Sequence, residues 1–411
     1  MALRTPGRLR ALLLASVAVS LVWGAVSAWT VEQRQSAANQ VVAGSGPLSY
    51  DAQQVYQSLS DADATEANGY LSAIEPASDV TRIHADISRA EAYVLAIRAG
   101  DQDPAIQADL TTLATGIPSY TDYVGEADAF NRGGQPVGAA WLSDASYLMR
   151  HTLLPAASDM YASENARLNA AYARATGFPF LAVGAAIVFC LLAVAAQYRL
   201  ARRTNRLLNP GLAAASLIGL VSLAWLLGSL GAARSGLLAG RDQGSAPAQF
   251  LVQAEVTALR MHSDESLTLI NRDGADDSTE KEFKQALWPL LGRELVSAQS
   301  VGAGSPGEAD AAAAARAAQA WYGQHQRVYD ANRDGDYPTA VTLATTDSTA
   351  SFRSVEAALG RGIAADQAAF TGSAASGDSD LGGLGAGMLI AALAMAAACA
   401  WGVYHRLAEY R

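Results

Sequence analysis

The chain has 411 residues and a formal net charge of -10. The acidity is concentrated in two long stretches, with 8 Arg against 18 Asp and Glu in residues 30–177 and 12 Arg and Lys against 20 acidic residues in 233–381. Surfaces of that sign exclude nucleic acid as a partner, because phosphate backbones are held by clustered Lys and Arg. Cys190 and Cys399 are the only cysteines and both sit in apolar segments, which excludes a disulfide framework and suits small packing residues.

Residues 1–10 carry Arg4, Arg8 and Arg10 and are expected to form a cytoplasmic tail. Leu12–Trp29 is uncharged and predicts a transmembrane helix over 11–30. Val26-Ser27-Ala28 before Trp29 also fits a cleavable leader. An equivalent segment deep in the chain cannot be one, so retention as an anchor is the expectation.

Residues 31–176 predict an extracytoplasmic helical bundle. Ile83, Ile87, Ala90, Val94 and Ile97 step by four and three along one face, as do Trp141, Ala145, Leu148, Thr152, Ala156, Met160 and Ser163. Such narrow seams suit antiparallel bundles. Gly44–Pro47, Gly100–Pro104 and Asn131–Pro136 are the breaks between helices.

A second apolar segment, Phe178–Tyr198, predicts a transmembrane helix over 177–198, and Arg199, Arg202, Arg203 and Arg206 make 199–209 a basic cytoplasmic loop. Gly211–Gly231 predicts a third span over 210–232. Residues 233–380 predict a second outer bundle, with seams at Val252, Val256, Leu259, Ser263, Ser266 and Ile270 and at Phe283, Leu287, Leu290 and Ala298. Asn271–Gly274, Gly302–Gly307 and Asp334–Pro338 break it. Gly382–Val403 predicts the last span over 381–403, and 404–411 is a cytoplasmic tail with Arg406 and Arg411 against Glu409.

The fold class that follows is all-α: an integral membrane protein with four transmembrane helices and two extracytoplasmic antiparallel helical bundles. Basic clusters stay inside, which puts both termini in the cytoplasm and the protein in the plasma membrane as a multi-pass chain. The halves read as a tandem repeat shifted by about 201 residues: Val55 meets Val256, Tyr120 meets Trp321, and Asn131-Arg132-Gly133-Gly134 meets Asn332-Arg333-Asp334-Gly335.

Candidate chemistry is sparse. Asp330-Ala331-Asn332-Arg333-Asp334-Gly335-Asp336 matches the first six positions of an EF-hand loop, but position twelve is Val341, which cannot ligate a cation, so an inter-helix turn is the better reading. His84, His151, His262, His325 and His405 show no metal-binding spacing and read as surface or seam residues. Ser60-Asp61 and Ser263-Asp264 have no identifiable base. The acid groups Asp61, Asp63, Glu66 and Asp276, Asp277, Glu280, Glu282 read as solvated helix faces and starts. Trp321, Tyr322, Tyr329 and Tyr337, like Tyr120, Tyr123, Phe130 and Trp141, fill seams or anchor a partner. Gly383 and Gly387 have the spacing of a close helix crossing. The four spans hold no ionisable side chain, which argues against a transporter. No catalytic, cofactor-binding or metal-binding residue is assigned, no cofactor is expected, and no partner-binding surface is singled out.

With cytoplasmic pieces this short, any signal is expected to leave through a separate protein. The layout resembles the GlnX-like actinobacterial four-span membrane linkers. That resemblance implies a non-enzymatic signalling adaptor between an extracytoplasmic amino-acid-binding lipoprotein, GlnH, and a cytoplasmic Ser/Thr kinase, PknG. The Gly335-Asp336-Tyr337-x-x-Ala340 turn also looks like one in helical-bundle bacterial sensor domains. A direct small-molecule sensor, with ligand between the outer helices, and a structural envelope role are the alternatives.

Overall fold

A computed structural model of the chain describes residues 5–72, 76–101, 103–204, 210–272, 277–379 and 381–408. Arg4, Arg206, Asp273, Gly274, Asp276, Glu409 and Arg411 lie outside them, as do the side chains of Arg8, Arg10, Arg199, Arg202, Arg203, Asp277, Glu280, Glu282, His405 and Arg406. Every regular element among the described residues is helical. The first half supplies α1 (Thr5–Asn39), α2 (Ser45–Tyr70), α3 (Ala77–Gly100), α4 (Pro104–Arg132), α5 (Val137–Leu148), α6 (Leu154–Thr176) and α7 (Phe180–Thr204). The second supplies α8 (Pro210–Gly240), α9 (Ala246–Asn271), α10 (Asp277–Pro289), α11 (Leu295–Val301), α12 (Glu308–Arg333), α13 (Tyr337–Leu343), α14 (Thr349–Ser379) and α15 (Leu384–Ala408).

Most expected breaks are where the turn chemistry puts them. Gly134, Gly304 and Gly335 adopt positive φ, at 67°, 82° and 81°, which only glycine adopts freely. Asp103 caps α4 by accepting from the Ala105 amide, and Asp336 caps α13 by accepting from Thr339. Gly44–Pro47 is different, because helical backbone runs straight through it. The chain absorbs Pro47 with a π turn at Gln40–Gly44. The π turns Met149–Leu153 and Arg241–Ser245 likewise sit just ahead of Pro155 and Pro247, and Leu290–Glu294 follows Pro289. A proline offers no N–H to the carbonyl four residues back and crowds it, and a widened turn ahead of it relieves the strain; Leu290–Glu294, which follows its proline, does not have that cause. The fifth, Ala344–Ser348, has no adjacent proline; there Thr349 Oγ1 donates to Ala344 O, five residues back, at 2.7 Å.

These turns correct one seam. The face Trp141, Ala145, Leu148 was expected to continue through Thr152, Ala156, Met160 and Ser163. Ala156 and Met160 are buried as expected, but the surplus residue at Met149–Leu153 slips the phase, so Leu153, Ala157 and Glu164 are buried too while Thr152 and Ser163 are exposed. The other expected seams are largely buried, including Ala90, Val94, Ile97, Val252, Leu259 and Ser266.

The helices form two compact units. One comprises Met1–Val42, Ala170–Leu238 and Ser373–Arg411. In it α1 packs on α15 and α7. Trp23 is buried and stacks on Phe189 at 6.2 Å. Small residues set the closest approaches: a Cβ on Gly24 would lie 2.1 Å from Ala392 Cβ, and one on Gly211 would meet the Gly402 backbone at 2.4 Å. The expected Gly383–Gly387 pair does not act as one crossing. Gly383 is a turn residue with φ of 74°, and only Gly387 is packed, against the Trp225 ring. Arg34 is buried and donates to the carbonyls of Ala175, at 3.0 Å, and Gly177, placing a cation at the end of α6. Four helical stretches, within 13–70, 137–198, 210–271 and 384–402, are long and apolar enough to cross a membrane. Leu181, Leu191, Val194, Leu217 and Ile390 are exposed on them, which is costly in water and compatible with a multi-pass membrane protein.

The other unit comprises Ala43–Asn169 and Ala239–Gly372, so residues from both halves of the chain build one body. Each half keeps its own apolar core, one around Leu59, Leu110, Leu113 and Met149 and one around Leu259, Leu290, Trp321 and Phe352. They meet where α2 packs on α9. Burying each such large side chain contributes about 1.5–3 kcal/mol, enough to order the helices around a polar seam.

Candidate functional site

Helices α2 and α9 run in the same direction. Gln57 donates to Glu255, Asn68 to Ser266 at 3.4 Å, and Ser263 to Asp63 at 3.0 Å, with partners 198 to 200 residues apart in each case. Pairs at near-constant spacing exist only between parallel segments. The seam is thus lined with polar groups that the apolar cores leave between them, and buried polar groups must find partners.

Arg150 is the hub. It lies in the π turn before Pro155, whose surplus residue carries its guanidinium toward the seam. Its Nη1 donates to Asp264, its Nη2 to Ser263 Oγ at 2.7 Å, and its Nε lies 3.6 Å from Asp63. Asp63 also accepts from Ser146 Oγ at 2.7 Å. Burial pushes the Asp63 carboxyl above its usual range, against the pull of Arg150 and the two serines. Burial alone would depress the Arg150 guanidinium, but Asp264 and Asp63 outweigh it and raise its pKa. One side chain therefore ties α2 and α9 to the α5–α6 run. Beside it a cleft of about 330 Å³ opens among Tyr56, Ser60, Leu154, Ser158, Val256 and Arg260. Arg260 is largely exposed and lies 4.0 Å from Asp264.

On the other flank, Arg82 of α3 bridges Asp61 of α2, at 2.6 Å, and Glu356 of α14. Arg353 lies 3.5 Å from Asp79. Carboxyls outnumber cations here. Burial, with the neighbouring Asp61 adding to it, raises Asp86 to about 7, and burial raises Glu255 to about 8.

A third cluster belongs to the second half. Glu265, fully enclosed, faces His325 Nδ1 at 2.8 Å and accepts from Ser348 Oγ at 2.7 Å, while Trp321 Nε1 donates to Ser348 at 3.1 Å. Burial alone would raise Glu265, but the bond to His325, the histidine charges and Ser348 hold it below its usual range. His262 stacks on Phe352 at 4.2 Å, and burial lowers it to about 4. The carboxylate–serine pairs Asp63–Ser146 and Glu265–Ser348 are each 83 residues apart. The same device occurs in each half, completed by an arginine in one and by histidines in the other.

The residues singled out in the sequence fall as follows. Asp63 and Glu66 are buried, not solvated, and Asp61 is paired: Asp63 meets Ser263 of α9, Glu66 faces α3 and α4, and Asp61 meets Arg82 of α3. Ser60 donates to Tyr56 O at 2.8 Å, and Ser263 serves Asp63 and Arg150, so neither Ser-Asp pair is a poised nucleophile. Asp330–Arg333 ends α12 and Asp334–Asp336 turns into α13, with Arg333 pairing Asp330 at 3.1 Å and Asp336 capping. Tyr120 and Trp321 are core residues, and Tyr337 donates its hydroxyl to Leu269 O at 3.0 Å under the Arg272 guanidinium. His84 and His151 are exposed. Among the described residues no group of His, Cys, Asp and Glu is placed to hold a metal ion. Arg150 and Arg82 carried no sequence signal, since neither belongs to a motif that distinguishes it from other helix-surface arginines.

Residues 37–173 match the family model described as an actinobacterial sensor domain. No curated protein and no solved structure matches the chain. The matched stretch runs from the end of α1 to α6 and contains Asp63, Arg82, Ser146 and Arg150, which points to a sensing or signalling role.

Proposed function

We propose that the chain is a non-enzymatic transmembrane signalling adaptor. In this reading the apolar helices lie in the plasma membrane, the unit built from both halves lies outside, and both termini and the 199–209 loop face the cytoplasm. The outer unit receives a signal from a solute-binding protein, and a cytoplasmic Ser/Thr kinase receives it at the basic loop.

The observation that carries the reading is the Arg150 junction. A single guanidinium, itself inside the stretch that matches the sensor domain, holds the first outer helices of both halves together. Any event that competes for its partners changes the free energy of one arrangement of α2 and α9 over another, which is what a relay requires. Helical backbone is unbroken over 5–70 and 210–271, so α2 and α9 each continue an apolar helix. Only five residues separate α7 from α8, too few for a catalytic output between them.

Purification of the full chain from mild detergent tests the adaptor: a solute-binding protein or a kinase is expected to co-purify, and recovery of neither in the presence of the ligand refutes it. The cleft of about 330 Å³ beside Arg150 favours a second reading, direct sensing of a small molecule. A thermal-shift screen of small solutes on the full chain separates the two, because an adaptor alone responds to none.

A further inference from the structure

A separate pocket in the first half has a chemistry that the Arg150 junction does not share. It lies where α3 and α4 diverge over α2, with a volume of about 130 Å³. Val80, Ile83, Ile87 and Val124 form its apolar walls, and Glu66, Tyr120 and Asp128 bring the polar groups. Gly125 stands at its edge with open space where a Cβ would be.

The floor is acidic and incompletely satisfied. Tyr120 is 1% exposed, and its hydroxyl has no hydrogen-bond partner in the protein. A buried hydroxyl left in that state is destabilising, because its lost hydration is not replaced. Glu66 is as deeply buried, and it shares a hydrogen bond with Asp128. Burial raises Asp128, and Arg132 and Glu66 oppose the rise. The Arg132 guanidinium lies 3.8 Å from Asp128 and is 72% exposed, so it sits at the rim, and the exposed His84 also lines the pocket. The other half shows what a filled version looks like. The 201-residue shift sets Trp321 against Tyr120 and His325 against Val124. There the indole donates to Ser348, His325 meets Glu265, and Phe283 lies flat on His325 at 3.4 Å. Aromatic rings and a basic group thus occupy in one half what is open and acidic in the other.

We infer that the α2–α3–α4 pocket is a binding site for a small primary ammonium ion carrying a short branched apolar body. The ammonium has three donors, which match the two carboxyls and the Tyr120 hydroxyl. The apolar walls take the body, and a pocket of this size holds about four to six heavy atoms. An anion is repelled by the floor, and a neutral alcohol leaves its charge uncompensated. The site stands on its own geometry and does not depend on a signalling role.

The test is calorimetric titration of the full chain in detergent with isobutylammonium chloride, with isobutanol and sodium isobutyrate as controls. Saturable binding of the ammonium alone is expected. Asp128→Asn is expected to weaken it about tenfold or more by removing a charge-assisted bond. Tyr120→Phe weakens it while leaving the fold intact, since its hydroxyl bonds to no other protein group. Should Asp128→Asn fail to fold, Gly125→Leu keeps the test, because it fills the pocket from an exposed helical position and is expected to abolish binding with no loss of thermal stability. Absence of saturable heat overturns the inference, as does equal binding of isobutanol or unchanged binding in Gly125→Leu.

Discussion

Replacing Arg150 with methionine isolates what the junction contributes. The substitution keeps most of the side-chain length, removes the contacts to Asp264 and Asp63 and the 2.7 Å bond to Ser263, and leaves Asp63 enclosed. Breaking a fully buried ion pair costs about 3–5 kcal/mol. Here Asp63 retains the Ser146 and Ser263 hydroxyls, and the Arg150 side chain is 20% exposed, so about 2–3 kcal/mol is expected at neutral pH. That corresponds to a fall of about 3–6 °C in the unfolding midpoint of the full chain in detergent, followed by circular dichroism. The deficit also depends on pH with a definite sign. Burial already holds Asp63 above its unfolded pKa, and removing the opposing arginine raises it further. The folded variant then binds the proton more readily than the unfolded one, so its stability rises as pH falls. The gap to wild type is expected to be smaller at about pH 5 than at about pH 7. Arg260→Met, at a mostly exposed position, serves as the control and is expected to shift the midpoint little. An unchanged midpoint for Arg150→Met at neutral pH, or a deficit equal at both pH values, refutes the assignment of the hub.

Three further outcomes follow from the same geometry. Glu255, raised to about 8 by burial, contributes stability at low pH that is lost as pH rises from its ordinary 4.5 through 8; Glu255→Gln is expected to flatten the stability–pH curve over that window, and an unchanged slope contradicts it. Gly24→Ala places a methyl group 2.1 Å from Ala392 Cβ and is expected to cost about 1–3 kcal/mol of thermal stability in detergent, with Ala392→Gly restoring it; full stability of the single variant shows that the helices are not so close. Tyr337→Phe loses only the bond to Leu269 O, at about 1 kcal/mol, whereas Tyr337→Ala also empties packing around Leu269 and Val328 and is expected to cost about 3 kcal/mol by chemical unfolding; equal effects of the two would mean the ring is not packed.

The helical architecture was legible because its signals are local. Uncharged stretches such as Gly211–Gly231 declare their length, and seams such as Ile83–Ile97 repeat at helical spacing. Turns at Gly134 and Gly335 were legible because only glycine adopts their backbone freely. What escaped depends on contacts distant in sequence. Asp61, Asp63 and Glu66 look solvated on an isolated α2 and become buried or paired only when α3, α4 and α9 pack against it. The phase slip at Met149–Leu153 escaped because helical periodicity is read with a constant step, although Pro155 six residues after Met149 was an available signal. Arg150 and Arg82 were invisible for the same reason as their partners: each meets carboxylates more than twenty residues away, or from the other half.

The π turns have a mechanical meaning apart from any ligand. Each holds one surplus residue, and a surplus residue in a regular helix is a line defect much like a dislocation in a crystal. Moving such a defect along by one peptide exchanges one hydrogen-bond partner for its neighbour and rotates the residue passed by about 100°. The turns at Gln40–Gly44 and Arg241–Ser245 are 201 residues apart and occupy matching places in the runs 5–70 and 210–271. Two helices with matched defects form a pair of screws of the same pitch, and glide of one defect without the other would turn α2 against α9 with little change in the length of either.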